Sequence, residues 1–180
     1  MDAAAGRRNL LYFEQNPFDL ANSLVLLDVD GTLVPDCGRM ASAAVLHKVS
    51  ELKRRGNEVR LCSNSRRGDY AARLAALAAQ LNVGVCATAV RKPSRRVLSG
   101  LERNGREIVI IGDKDLTDGL LACRAGTRFI KVRRKLDPGD RLVSRLTNLL
   151  DDTFGPIALF LWRSFDALSR RLRAGPATSR

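Results

Sequence analysis

Histidine is nearly absent: His47 is the only one among 180 residues. Hydrolysis by a serine–histidine pair or at a histidine-ligated metal is therefore disfavoured, and His47 is expected on a helix near the surface. Cysteine is scarce and dispersed. Cys37, Cys62, Cys86 and Cys123 form no Cys-x-x-Cys pair, which argues against a zinc site or a disulfide frame and for reduced thiols in a cytosolic protein. No apolar run approaches the roughly 18 residues of a membrane-spanning helix. Leu10 to Phe13 is cut short by Glu14, Asn16 and Pro17, so no secretory leader is expected. Repeats and low-complexity tracts are missing too. Acidic residues are the minority, 19 against 31 basic, for a net charge of +12. From Arg124 onward there are thirteen basic and five acidic residues, a balance suited to nucleic acid, anionic lipid or acidic metabolites.

What is present is one folded domain's worth of chain. Hydrophobic content of 45% with 28% charge is globular rather than disordered, and this length builds a single core. The chain is organised around Leu24-Val25-Leu26-Leu27-Asp28-Val29-Asp30-Gly31-Thr32. A short apolar run bounded by glycine reads as a buried strand. Side chains alternate along a strand, so Asp28 and Asp30 project on the same side, just where the strand stops. In open α/β sheets ligands bind beyond the carboxyl ends of strands.

Further strands are expected at 58–62, 83–89, 107–111 and 127–132, and helices at 40–54, 69–82, 92–104 and 115–125. This alternation predicts an α/β fold: a Rossmann-like three-layer α/β/α arrangement around a mostly parallel five-stranded sheet. Residues 1–22 read as a lead-in pinned by Phe13 and Phe18, 23–134 as the catalytic domain, and 135–180 as a basic helical extension. Phe154, Ile157, Ala158, Leu161, Phe165, Leu168 and Leu172 recur at steps of three or four, predicting an amphipathic helix over 154–173. Arg163, Arg170, Arg171 and Arg173 lie mainly off that stripe.

Each of four strands ends in a polar residue, in a fixed order. Asp28-Val29-Asp30-Gly31-Thr32, then Ser63-Asn64-Ser65, then Arg91-Lys92-Pro93, then Gly112-Asp113 with Thr117-Asp118 resemble the four motifs of haloacid-dehalogenase (HAD) phosphatases. Arg124-x-Gly126 adds a likeness to the capless IIIA-type phosphatases of the YqeG family, which includes mitochondrial phosphatidylglycerophosphate phosphatases. The likeness runs over about residues 22–165. It departs at Gly31, where that family usually has Asn, and at Asp115, where an apolar residue is usual.

The resemblance implies a Mg2+-dependent phosphate monoester hydrolase. Asp28 is then the nucleophile that forms an aspartyl-phosphate, and Asp30 the general acid and base. Ser63, Asn64, Lys92 and the loop amides at Gly31 and Thr32 would hold the phosphoryl oxygens. Asp28, Asp113 and the backbone carbonyl of Asp30 would hold magnesium, and Asp118 would steady the lysine or a metal-bound water. The short gaps between motifs leave no room for a cap domain, so the site is expected to be open unless a second copy of the chain covers it. The substrate implied is a phosphorylated lipid headgroup such as phosphatidylglycerophosphate. A soluble sugar phosphate or a nucleic-acid terminal phosphate is the alternative, and a non-catalytic binding protein the third reading. Nucleic acid is disfavoured, because only Phe129 and the last helix place aromatics among basic residues. The location expected is cytoplasmic, or peripheral at the inner membrane surface through the C-terminal helix.

Overall fold

The computed structural model describes residues 10–36, 38–64, 69–86, 88, 90–140 and 142–174, with side chains of the last helix up to 166. Cys37, Ser65, residues 1–9 of the lead-in, and the side chains of Leu168, Leu172, Arg170, Arg171 and Arg173 lie outside the described residues.

Five strands run in parallel: β1 (Leu24–Leu27), β2 (Glu58–Leu61), β3 (Gly84–Val85), β4 (Ile108–Gly112) and β5 (Arg128–Lys131). Their order is β3-β2-β1-β4-β5. The chain winds outward from β1 to β3, then returns to the other side of β1 for β4 and β5. The switch point therefore falls between β1 and β4, where such sheets bind ligands. Register brings the ends together, because Leu27 pairs with Leu61 on one side and with Ile111 on the other. One residue further along, Asp28, Cys62 and Gly112 stand side by side, followed by Ser63 and Asp113.

β1 is buried on both faces. Val25 and Leu27 join Phe13, Phe18 and the helices α1 (Ala43–Arg54) and α2 (Asp69–Leu81). Leu24 and Leu26 face Val97, Leu98 and Leu121 on the other side. Each such fully buried aliphatic side chain contributes about 1.5–3 kcal/mol. α1 starts at Ala43 rather than 40 because the Ser42 hydroxyl accepts the Val45 N–H at 3.4 Å and caps it. His47 is exposed on this helix. Of the described cysteines, Cys62 and Cys86 are buried and Cys123 is half-buried.

Four expectations are corrected. The helix expected over 92–104 is only a 3-10 turn, Arg95–Leu98. Pro93 lacks an N–H, and Gly100 and Asn104 take left-handed backbone angles (φ +80° and +48°), so helical hydrogen bonding cannot propagate. The strand expected over 83–89 is two residues long at the sheet edge. The helix expected over 115–125 opens as a π turn, Asp115–Gly119, before α3 (Leu120–Ala125). The last helix, α4, spans Leu142–Ala174, twelve residues longer at its start than the stripe suggested. Its stripe also faces outward: Phe154, Ile157, Leu161 and Phe165 are exposed, while Ala158 is half-buried.

What α4 buries is Asp151, Gly155 and Leu159. A Cβ on Gly155 would stand 2.7 Å from Asp115 Cβ, so only glycine lets the helix approach the π turn this closely. Among the described residues, no helix is long and apolar enough to cross a membrane.

Candidate active site

The turn after β1 is built by its own backbone. The N–H groups of Thr32, Leu33 and Val34 all point to the Val29 carbonyl, and Gly31 N–H donates to Val34 O at 2.7 Å. Gly31 sits at φ +86°, and a Cβ there would lie 2.8 Å from Asp113 Oδ2. Glycine is thus required twice over, which explains Gly rather than Asn in this chain. Within this turn the Gly31 amide donates to Val34 O and the Thr32 amide to Val29 O at 3.2 Å. The Thr32 hydroxyl is likewise engaged, 3.1 Å from Asp113 Oδ1 and 3.4 Å from Asp28 Oδ2.

Asp28 and Asp30 meet different partners. Lys92 Nζ donates to Asp28 Oδ1 at 2.5 Å and to Asp118 Oδ1 at 2.6 Å, with all three side chains buried. Burial by itself would lower Lys92, but the Asp118 and Asp28 charges outweigh it and raise it well above its ordinary value. Its charge is therefore fixed. Asn64 holds the lysine's backbone from both sides: its Oδ1 accepts Lys92 N–H at 2.7 Å, and its Nδ2 donates to Lys92 O at 3.2 Å. Asn64 thus positions Lys92. Asp30 instead accepts from Arg73 Nη2 at 2.7 Å, and the same guanidinium donates to Gly38 O. Burial raises the Asp30 pKa, and the Arg73 hydrogen bond and charge oppose the rise.

Asp113, buried at the end of β4, accepts from Arg134 Nε at 2.5 Å. Arg134 also reaches Asp151 and Asp152 of α4, at 3.1 and 3.0 Å. Asp151 in turn accepts the Leu116 N–H at 2.7 Å and the Asp115 N–H at 3.2 Å. It thereby caps the π turn that carries Asp118. The unusual Asp115 is neutralised by Lys131 of β5 at 2.6 Å.

Oxygens of Asp28, Asp113 and Asp118 lie within 4.8 Å of one another. A set of buried carboxylates alone suits a hard divalent cation. Burial, reinforced by the Asp28 charge and opposed by Arg134, pushes Asp113 up to about 6. Burial pushes Asp118 up to about 8 despite Lys92. Both directions express a shortage of positive charge that a divalent cation would relieve. The residues present therefore fit such an ion, with Asp118 close to the pair expected from the sequence and already tied to Lys92.

The cleft over these groups is lined by the expected Asp28, Asp30, Gly31, Ser63, Asn64 and Lys92. Its remaining wall was not anticipated: Asp36, Lys114, Thr117, Lys135, Asp140, and Ser144 and Asn148 of α4. Lys135 N–H donates to Gly31 O at 2.7 Å, fastening this wall to the β1 turn. Arg73 and Arg134 were also missed. For Arg134 a signal existed in the basic run Arg133-Arg134-Lys135 just past a strand end; for Arg73, one charge on an amphipathic helix, there was none.

No curated protein matches the sequence significantly. Among solved structures, a chain of the Pnkp1/Rnl/Hen1 complex is similar at 16% identity and TM-score 0.46, over 62% of this chain and 45% of that one. A chain of the Pnkp1/Rnl/Hen1 RNA repair complex is similar at 15% identity and TM-score 0.46, over 73% and 48%. The protein spans less than half the length of either. The family described as mitochondrial PGP phosphatase matches residues 15–137, a stretch that contains all four strand-end motifs and the buried carboxylates gathered around Lys92. The chain belongs to the mitochondrial PGP phosphatase family.

Proposed function

We propose that the protein hydrolyses the terminal phosphate of phosphatidylglycerophosphate through an aspartyl-phosphate on Asp28, with magnesium as its cation. The observation that carries the reading is the division of labour at the end of β1. Asp28 is pinned by Lys92 at 2.5 Å, whereas Asp30 is held apart by Arg73 with a raised pKa.

Asp28 attacks phosphorus as the bond to the headgroup oxygen breaks. Asp30, protonated, gives its proton to that oxygen. The resulting Asp30 carboxylate, stabilised by Arg73, then takes a proton from water. That water attacks phosphorus, the bond to Asp28 breaks, and inorganic phosphate leaves. Lys92 and Ser63 hold the transferring oxygens, a donor of this kind being worth about 3–4 kcal/mol. Asp28, Asp113 and the Asp30 carbonyl are the residues that would hold magnesium, whose bound charge would screen the repulsion between carboxylate and phosphate.

The test is phosphate release from lipid, sugar and nucleotide monoesters, with and without magnesium, using Asp28→Asn as the blank. Magnesium-dependent release that favours the lipid is expected. Preference for a soluble monoester would refute the substrate, and full activity in chelator would refute the metal.

A further inference from the structure

α4 has two opposite faces. Asp151, Gly155 and Leu159 are turned inward, onto the π turn and toward Phe129. Leu146, Leu149, Leu150, Phe154, Ile157 and Phe160 are turned outward, each 43–69% exposed. Single exposed apolar side chains are ordinary, but a continuous row along one helix marks a contact surface. At 3.6 residues per turn these six span an arc of about 140°, broader than the seam between two paired helices. Arg145 and Arg163 are exposed along α4, Arg124 stacks on Trp162 at 5.3 Å from the ring centre, and the chain carries +12 overall. Arginine and tryptophan bordering an apolar face suit an interface between hydrocarbon and anionic headgroups.

We propose that this outer face docks on an anionic bilayer and so holds the cleft at headgroup level. The proposal rests on the lipid-phosphate reading above and adds to it the surface from which the substrate is taken. An interfacial helix sinks its apolar face about 5–10 Å into the boundary between headgroups and acyl chains. Ser144 and Asn148, on the inward side of the same helix, line the cleft. The cleft wall, one helix diameter of about 10–12 Å from the submerged face, thus stands only a few ångströms above the acyl boundary. That is the level of a phosphate carried on a glycerol headgroup. Electrostatic attraction to the surface adds to apolar burial.

The experiment is flotation of the full chain with vesicles of phosphatidylcholine, alone or mixed with phosphatidylglycerol, comparing the parent with the double variant Leu146→Glu, Phe160→Glu. Both positions are exposed, and unchanged turnover of a soluble phosphate monoester reports that the variant folds. The parent is expected to bind more strongly as the anionic fraction rises, and the variant at least tenfold more weakly. Absence of parent binding, or equal binding by the variant, overturns the proposal. So does a parent dimer in sedimentation equilibrium that the same substitutions split, which would give the face to a second copy. Lipid phosphate dispersed in detergent separates the two readings. Turnover there without vesicle binding removes docking and leaves the substrate; vesicle binding without any lipid turnover removes the substrate and leaves docking.

Discussion

The two faces of the sheet are covered differently, and the difference sorts stability from chemistry. One face lies under α1 and α2, of 12 and 13 residues, with Phe13 and Phe18 packed 5.3 Å apart at its margin. The other lies under short pieces: the turn Arg95–Leu98, the π turn and six-residue α3. Long helices satisfy their own backbones and leave few polar groups to aim at a ligand. Short irregular segments bring side chains together from several directions. Asp28 accordingly answers to Lys92 from the thin layer. Asp30 answers to Arg73 from the thick one.

Breaking the thin side at its centre has the largest expected effect. Asp28→Asn should lower kcat by about 10⁴-fold or more while the melting temperature stays close to the parent's, as measured by steady-state kinetics and calorimetry. Residual activity within tenfold would remove Asp28 from the nucleophile's role. Lys92→Met should cost about 10²–10³-fold in kcat and also destabilise the protein, since Asp118 and Asp28 lose their buried partner. On the thick side the signature should invert. Leu77→Ala, at a fully buried position of α2, should cost about 2–5 kcal/mol in denaturant unfolding and leave kcat of the folded fraction unchanged. A fall in kcat ahead of stability would show that the layers are not separable.

Two smaller effects follow from pKa values. Asp113 and Asp118 are raised from 3.8 to about 6 and about 8. The folded protein therefore binds more protons than the unfolded chain between 3.8 and about 8. Their contribution is fully present below 3.8 and is lost as pH rises through the folded values. In chelator the melting temperature should fall across that window, and magnesium should flatten the fall. A melting temperature that rises with pH there would contradict the shortage of positive charge. Smallest is Arg73→Gln. Arg73 lowers Asp30, so its loss should move the alkaline limb of the kcat profile to higher pH. Movement to lower pH would separate Arg73 from the acid.

The central strand and the order of polar strand ends were legible because burial on both faces writes an uninterrupted apolar run, and parallel strands must all end at one edge. Asp28 could be placed from that edge, whereas Lys92, Asp113 and Asp118 were placed through the resemblance of their motifs. Asn64, by contrast, holds Lys92 through its backbone, a role no spacing announces. Arg73, Arg134 and Asp151 act across elements distant in sequence, and a lone charge on a helix carries no mark of its partner. The helix expected over 92–104 failed because Lys92-Pro93-Ser94 was read as a helix start without weighing the left-handed turn residues Gly100 and Asn104 beyond it. The start of α4 was hidden because its first turns pack little and expose Leu142 and Val143.

The Asp151 carboxylate gives the protein an internal clock. The amide protons of Asp115 and Leu116 are held by a side chain 36 and 35 residues away, not by a neighbouring strand. They exchange with deuterium only when that carboxylate withdraws, which requires the inner face of α4 to lift. The Asp28 amide, bonded to Ile111 O at 2.9 Å within the sheet, waits for the domain itself to open. The ratio of those exchange rates measures the free energy of helix release apart from global unfolding, and its change on addition of vesicles or cation would show which of them the helix feels.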